Sequence, residues 1–245
     1  MPFADATLAV APGVSPDRES PRGPRAFVDL HCHTSASFDS LASPESVARA
    51  AAARGLTHLA ITDHGTLDGA RAARDAAPES LTVLVGEEIR TQEGDLIGIF
   101  LDRAVPAGLP AAEAVAAVRE QGGLVGIPHP FDRFRGSLLR TQAMTDLASS
   151  VDWIEAWNAR IVFGDGNIRA AELAAAVGVP GVAVSDAHTT IEVGVASTAV
   201  WGDPSTPQGL AAALAGQRDL VTGRASLYAR LATPAAKAVK RMRAR

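Results

Sequence analysis

The sequence predicts an α/β domain closed into a barrel. Short apolar runs alternate with Ala-rich amphipathic segments, about seven runs read as strands, and most histidines sit where a run ends. Alternation of this kind argues for a largely parallel sheet covered by helices, and that many strands in 245 residues favour a barrel over an open sheet.

The elements follow in order. Residues 1–25 are rich in Pro, Ser, Gly and charge and read as a flexible leader. From Phe27 the strand candidates are FVDLH, HLAIT, LTVLVGEEI, LIGIFL, LVGIPH, VDWIEAW, PGVAVSD and STAVW. The helix candidates between them are 44–54, 67–76, 111–121, 164–177 and 207–216. The first of these has a start signal: Ser43 as a cap, Pro44 in the first helical position and Glu45 facing the helix dipole. LTVLVGEEI and LIGIFL have only TQEGD between them, which predicts a hairpin that interrupts the alternation. The barrel is therefore expected to be irregular, with one domain over 26–222 and a basic helix or tail over 223–245.

The net charge of −4 gives no general pull toward nucleic acid, although the basic tail offers a weak anionic contact. A single cysteine, Cys32, excludes an intrachain disulfide and fits a reducing compartment. No apolar run approaches the ~20 residues of a membrane span, and the first residues carry no basic segment before their apolar run. A cytoplasmic protein with no membrane partner is expected.

Histidine placement carries the chemistry. His31, His33, His64, His129 and His188 all end apolar runs, and in a parallel α/β domain those ends share one face, where active sites form. His58 starts its strand instead and reads as structural. Alternation along a strand puts Asp29, His31 and His33 on one side and Cys32 on the other. Two imidazoles so spaced can bind one metal ion, with Asp29 placed to orient a ring. Carboxylates stand at comparable positions: Asp63 before His64, Glu87 and Glu88 in VGEE, and Asp186 two residues before His188. Histidine and carboxylate without thiolate suit zinc, manganese or iron.

The motifs DLHCHTSASFDS, ITDHGT, VGEEI, IPHPFD and VSDAH, in that order, resemble the polymerase-and-histidinol-phosphatase (PHP) family of metal-dependent phosphoesterases. The resemblance runs from about Phe27 to Trp201. It implies an irregular (β/α)7 TIM-like barrel with two or three divalent metal ions at its mouth. By the family pattern, His31 and His33 would hold the first metal with Glu88 and Asp186. Glu88, chosen over Glu87 by the Gly-x-Glu motif, would bridge to a second metal held by His129, and Asp39, His64 and His188 would hold a third. A further family histidine is absent; Asp95 is its nearest match, and Glu155 follows a strand near enough to join the site.

No protein nucleophile is recognisable, since both a GxSxG elbow and a P-loop are absent. The expected reaction is hydrolysis of a phosphate ester, a phosphomonoester or a nucleotide or oligonucleotide end, by hydroxide shared between metals. Asp63 and His188 are the candidates to protonate the leaving group, and Arg133, Arg135 and Arg160 the candidates to bind phosphate oxygens. Two alternatives are an amidohydrolase-like enzyme acting on C–N bonds and a non-catalytic metal-binding PHP domain. The version of the first that uses a carbamylated lysine is excluded, because no lysine precedes Lys237.

Overall fold

The computed structural model of the protein describes residues 23–132, 147–226, 229 and 231–243. Among them lie the strands β1 (Arg25–Asp29), β2 (His58–Ile61), β3 (Thr82–Arg90), β4 (Asp95–Ile99), β5 (Leu124–Ile127), β6 (Trp153–Asn158), β7 (Gly181–Val184), β8 (Ser197–Trp201) and β9 (Arg218–Val221). The helices are α1 (Pro44–Ala53), α2 (Asp68–Asp75), α3 (Ala111–Arg119), α4 (Gly166–Val177), α5 (Pro207–Ala215) and α6 (Ala232–Arg243). The expected leader lies almost wholly outside the described residues. No described helix is long and apolar enough to cross a membrane.

All nine strands belong to one sheet, ordered β7-β6-β5-β4-β3-β2-β1-β8-β9. Pairing is parallel for β1/β2, β2/β3, β5/β6 and β6/β7. It is antiparallel on both sides of β4, and β8 runs antiparallel to β1 and β9. The expected (β/α)7 barrel is thus corrected to a nearly closed barrel of mixed topology with flanking helices. The cause is local: the link from Arg90 to Asp95 is too short to carry a crossover helix, so β4 must reverse direction.

Closure depends on side chains as much as on the ladder. Beyond the ends of β1 and β7 the chains still pair: Cys32 bridges Ala187, Asp186 N–H donates to His31 C=O at 2.9 Å, and His33 N–H to Ala187 C=O at 2.8 Å. The Thr198 hydroxyl on β8 joins β7, accepting from Ala183 N–H at 2.8 Å and donating to its carbonyl. Asp29 Oδ1 accepts from Ser185 N–H at 3.0 Å, and Oδ2 from Gly194 N–H at 3.3 Å. Asp29 therefore latches β1 to the chain after β7 instead of orienting an imidazole as the sequence reading had it. Burial pushes its carboxyl up to about 6, opposed by these hydrogen bonds.

Val28, Ala60, Leu84, Ile97, Trp153 and Val182, from six different strands, form one buried cluster. Trp153 fits there because Gly126 on the neighbouring strand has no side chain; a Cβ would lie 2.0 Å from the indole. Outside the sheet, α1 buries Val47, Ala48 and Ala51 with Cys32, Leu59 and Ile61. Its Ser43 cap accepts from Ser46 N–H at 3.2 Å, an interaction worth ~1 kcal/mol. His58 lies among Thr57 Oγ1 and Ser205 Oγ, away from the barrel mouth, as a structural residue.

The loop leaving β1 is braced by Asp63. Its Oδ1 accepts from Thr34 N–H and its Oδ2 from the Thr34 hydroxyl, each at 2.6 Å. Helix α2 packs directly on this brace, and a Cβ at Gly69 would sit 2.0 Å from Asp63 Oδ2 and 2.2 Å from Thr34 Oγ1. Gly69→Ala is therefore expected to destabilise the fold by about 1–3 kcal/mol through overpacking. Urea denaturation followed by circular dichroism measures the loss; a midpoint equal to that of the unaltered chain would contradict this packing.

Candidate metal centre

The mouth of the barrel collects side chains from five of its strand ends. His31 and His33 follow β1, with Asp39 farther along the same loop. His64 follows β2, Glu88 lies in β3, His129 follows β5, and Asp186 and His188 follow β7. All are buried except His64, which is partly so. Two of them adopt backbone conformations that side chains disfavour: φ is +28° at His129, which is held between Pro128 and Pro130, and +51° at Asp186. Strain of this kind persists where the surroundings over-determine it, and it concentrates at functional sites.

Glu88 is the centre. Its Oε2 lies 3.2 Å from His31 Nε2, 3.2 Å from His33 Nε2 and 3.4 Å from His64 Nε2. Its Oε1 lies 3.0 Å from His129 Nε2. Asp186 Oδ1 approaches His31 Nε2 to 3.6 Å and His33 Nε2 to 3.7 Å. Asp39 Oδ2 lies 3.2 Å from His188 Nε2 and 3.3 Å from His64 Nε2. Glu87 faces the other way and accepts from Val105 N–H at 2.8 Å. Strand alternation therefore makes the same choice between the two glutamates as the motif.

These donors fit metal ions. His31 Nε2 and His33 Nε2 stand 3.0 Å apart and share one carboxylate oxygen. Four overlapping groups have ligand atoms within 4.8 Å of one another: His31, His33 and Glu88; His31, His129 and Asp186; His33, Asp39 and His188; and Glu88, Asp95 and His129. The last brings in Asp95. Such buried sets can coordinate several divalent cations. Burial and the neighbouring His33 push His188 down to about 3, so its imidazole is neutral. Burial would raise Glu88, but the His64 and His31 charges and the His129 hydrogen bond outweigh it and hold the carboxylate ionised.

Two residues orient the ligands from β6. Glu155 Oε1 accepts from His31 Nδ1–H at 2.7 Å, while Oε2 takes His129 N–H and an Asn158 amide hydrogen, both at 2.8 Å. The first bond fixes the His31 ring so that Nε2 is the nitrogen presented to the cluster. Asn158 Nδ2 also donates to Asp186 Oδ2 at 3.0 Å. Sequence reasoning left Glu155 open between ligand and support and missed Asn158, whose only signal is its place at the end of a strand. It also missed Glu192, which is buried and accepts from His188 N–H at 3.1 Å.

The remaining expected residues stand apart from the cluster. Both oxygens of Asp63 are engaged by Thr34. Arg160 is buried, pairs with Glu192 at 3.2 Å and donates to the Thr233 hydroxyl at 2.8 Å. Arg133 and Arg135 lie outside the described residues.

If Glu155 orients His31 and positions the His129 backbone, Glu155→Gln removes one of its acceptors and weakens metal binding about 10–100-fold. Equilibrium dialysis against Mn2+ gives the comparison; unchanged affinity in a folded variant would contradict this role.

Comparison with known proteins agrees with this geometry. The PHP domain family matches residues 29–149, and the PHP-associated family matches residues 164–218. An uncharacterized protein of Methanocaldococcus jannaschii, MJ0417, is 35% identical over 170 residues, 68% of this chain and 67% of that protein. A 5'-3' exoribonuclease of Haemophilus influenzae is 33% identical over 117 residues, 42% of each chain. Among solved structures, a two-domain protein of Bacteroides vulgatus containing a predicted PHP-like metal-dependent phosphoesterase superposes with a TM-score of 0.69 at 18% identity, covering 86% of this chain and 70% of that one. The fold, the clustered ligands and the matched domains agree: the chain belongs to the PHP family and carries the ligand sets of a metal-dependent hydrolase.

Proposed function

We propose that the chain is a metal-dependent phosphoesterase that hydrolyses a phosphomonoester or the end of a nucleotide or oligonucleotide. The observation that carries this reading is Glu88, whose two oxygens face different imidazole groups and so can link adjacent cation positions. His31, His33, Glu88 and Asp186 would form the first position; Glu88 and His129, with Asp95, the second; Asp39, His64 and His188 the third. Bound there, zinc, manganese or iron ions would supply an acidified water and neutralise charge on the phosphate.

The chain's own groups do the rest. Glu155 keeps His31 Nε2 turned inward, and Asn158 holds Asp186. Of the two groups considered for proton transfer to the leaving oxygen, Asp63 is bonded to Thr34 and His188 is a neutral imidazole assigned to the third cation position, so neither is proposed as the acid. Arg133 and Arg135 remain the proposed phosphate contacts. The Haemophilus relative makes nucleic-acid ends a substrate class to include.

The test is a metal-free preparation restored in turn with zinc, manganese and iron. It is then assayed on phosphomonoesters, phosphodiesters, 5'-phosphorylated oligonucleotides and a set of amides. Phosphate-ester hydrolysis that appears only with metal, and that falls by a factor of about 100 or more in His33→Ala, supports the proposal. Activity indifferent to metal contradicts it. Hydrolysis of amides alone would establish the C–N alternative, and metal uptake without hydrolysis the non-catalytic one.

A further inference from the structure

Helix α6 returns to the barrel mouth and meets the supports of three ligand candidates. Lys240 Nζ donates to the carbonyl oxygens of Ser35 and Ser37. Those residues belong to the turn that ends at Asp39, which has no strand or helix of its own, and the Ser37 hydroxyl donates to Asp39 Oδ1 at 2.7 Å. Less than one turn earlier in α6, Lys237 Nζ lies 5.0 Å from the centre of the Phe38 ring. The other neighbour of Phe38 is His64, stacked on it with ring centres 4.8 Å apart.

At the opposite end of the helix, the Thr233 hydroxyl accepts from Arg160 at 2.8 Å. Arg160 pairs with Glu192, whose Oε2 receives the backbone N–H of His188 at 3.1 Å. One helix thus reaches Asp39, His64 and His188 by three separate chains of contact. His31, His129 and Asp186 are braced differently, by Glu155 and Asn158 from β6. The chain's only lysines are both spent on the Asp39 turn.

We propose that α6 sets the affinity of the third cation position, formed by Asp39, His64 and His188, while the positions around Glu88 fill independently of it. This rests on the metal-binding reading given above. The reason is entropic and geometric. A turn without regular structure must be ordered before its carboxylate can hold an ion beside two imidazoles, and that ordering costs free energy at each residue fixed. With α6 docked, the turn is already held at two carbonyls, at Phe38 and through Ser37. Docking and ion binding are then linked, so each strengthens the other. Lys237, Lys240 and Thr233 act as positioning residues.

The experiment is equilibrium dialysis of the full chain against a Mn2+ series, with bound ion counted by elemental analysis. Lys240→Met, Lys240→Arg and Thr233→Val are compared with the unaltered chain. The unaltered chain is expected to bind three ions, and Lys240→Met to keep two unchanged while the third weakens about tenfold or more. Lys240→Arg, which retains a cation and several donors, is expected to recover the third. If Lys240→Met does not fold, Lys237→Ala takes its place with the same readout. A third ion held equally well in the variants overturns the proposal, as does equal weakening of all the ions or a total of two in the unaltered chain. No uptake by the unaltered chain overturns the metal reading itself and is distinguishable from these results.

Discussion

Burying Glu88 among four imidazoles is the constraint on which the rest of this structure depends. Its Oε2 is within 3.4 Å of three ring nitrogens and its Oε1 within 3.0 Å of a fourth. Neither a carboxylate nor a set of converging ring nitrogens is buried without cost unless charge and hydrogen bonding are both satisfied. The barrel meets that condition by strand register. Pairing of Glu88 with Ile97 and of Glu87 with Gly98 turns one glutamate inward and leaves the other to the Val105 backbone. Divalent cations at the mouth would complete the compensation, which is why the architecture and the metal chemistry are one problem.

The segments that close the barrel also carry ligands. Residues 31–33 and 186–188 pair with each other by backbone hydrogen bonds while presenting His31, His33, Asp186 and His188 to the cluster. Asp29, Thr198 and Asp63 are the polar latches that let this happen, and each is buried. Stability and site geometry therefore share the same residues. The positive φ values at His129 and Asp186 show where the fold holds backbone in a costly conformation to aim a side chain.

Much of this was legible from local pattern. Five helix ranges lie within two residues of those expected at each end, because Pro, Ser and Thr caps and Ala-rich faces are short-range signals. The hairpin at TQEGD and the strand-end histidines are equally local, and His31 and His33 follow from alternation alone. The misreadings concern long-range contacts. Asp29 shares a face with His31, yet its partners are Ser185 and Gly194, more than 150 residues away. Strand β9 has no buried residue and no apolar alternation, so Arg218–Val221 gave no signal as a strand; it is recruited by β8. Asn158, Glu192 and the docking of α6 are likewise products of tertiary placement. The pairing of Arg160 with the buried Glu192 is of the same long-range kind.

The buried cluster is proposed as a multi-metal site centred on Glu88. Anomalous diffraction at the manganese edge, from crystals grown with Mn2+, tests it most directly. Separate anomalous peaks are expected on either side of the Glu88 carboxylate, one within coordination distance of His31 and His33 and one near His129. Well-ordered crystals in which His31, His33, Glu88 and His129 surround no anomalous peak at saturating Mn2+ would contradict it.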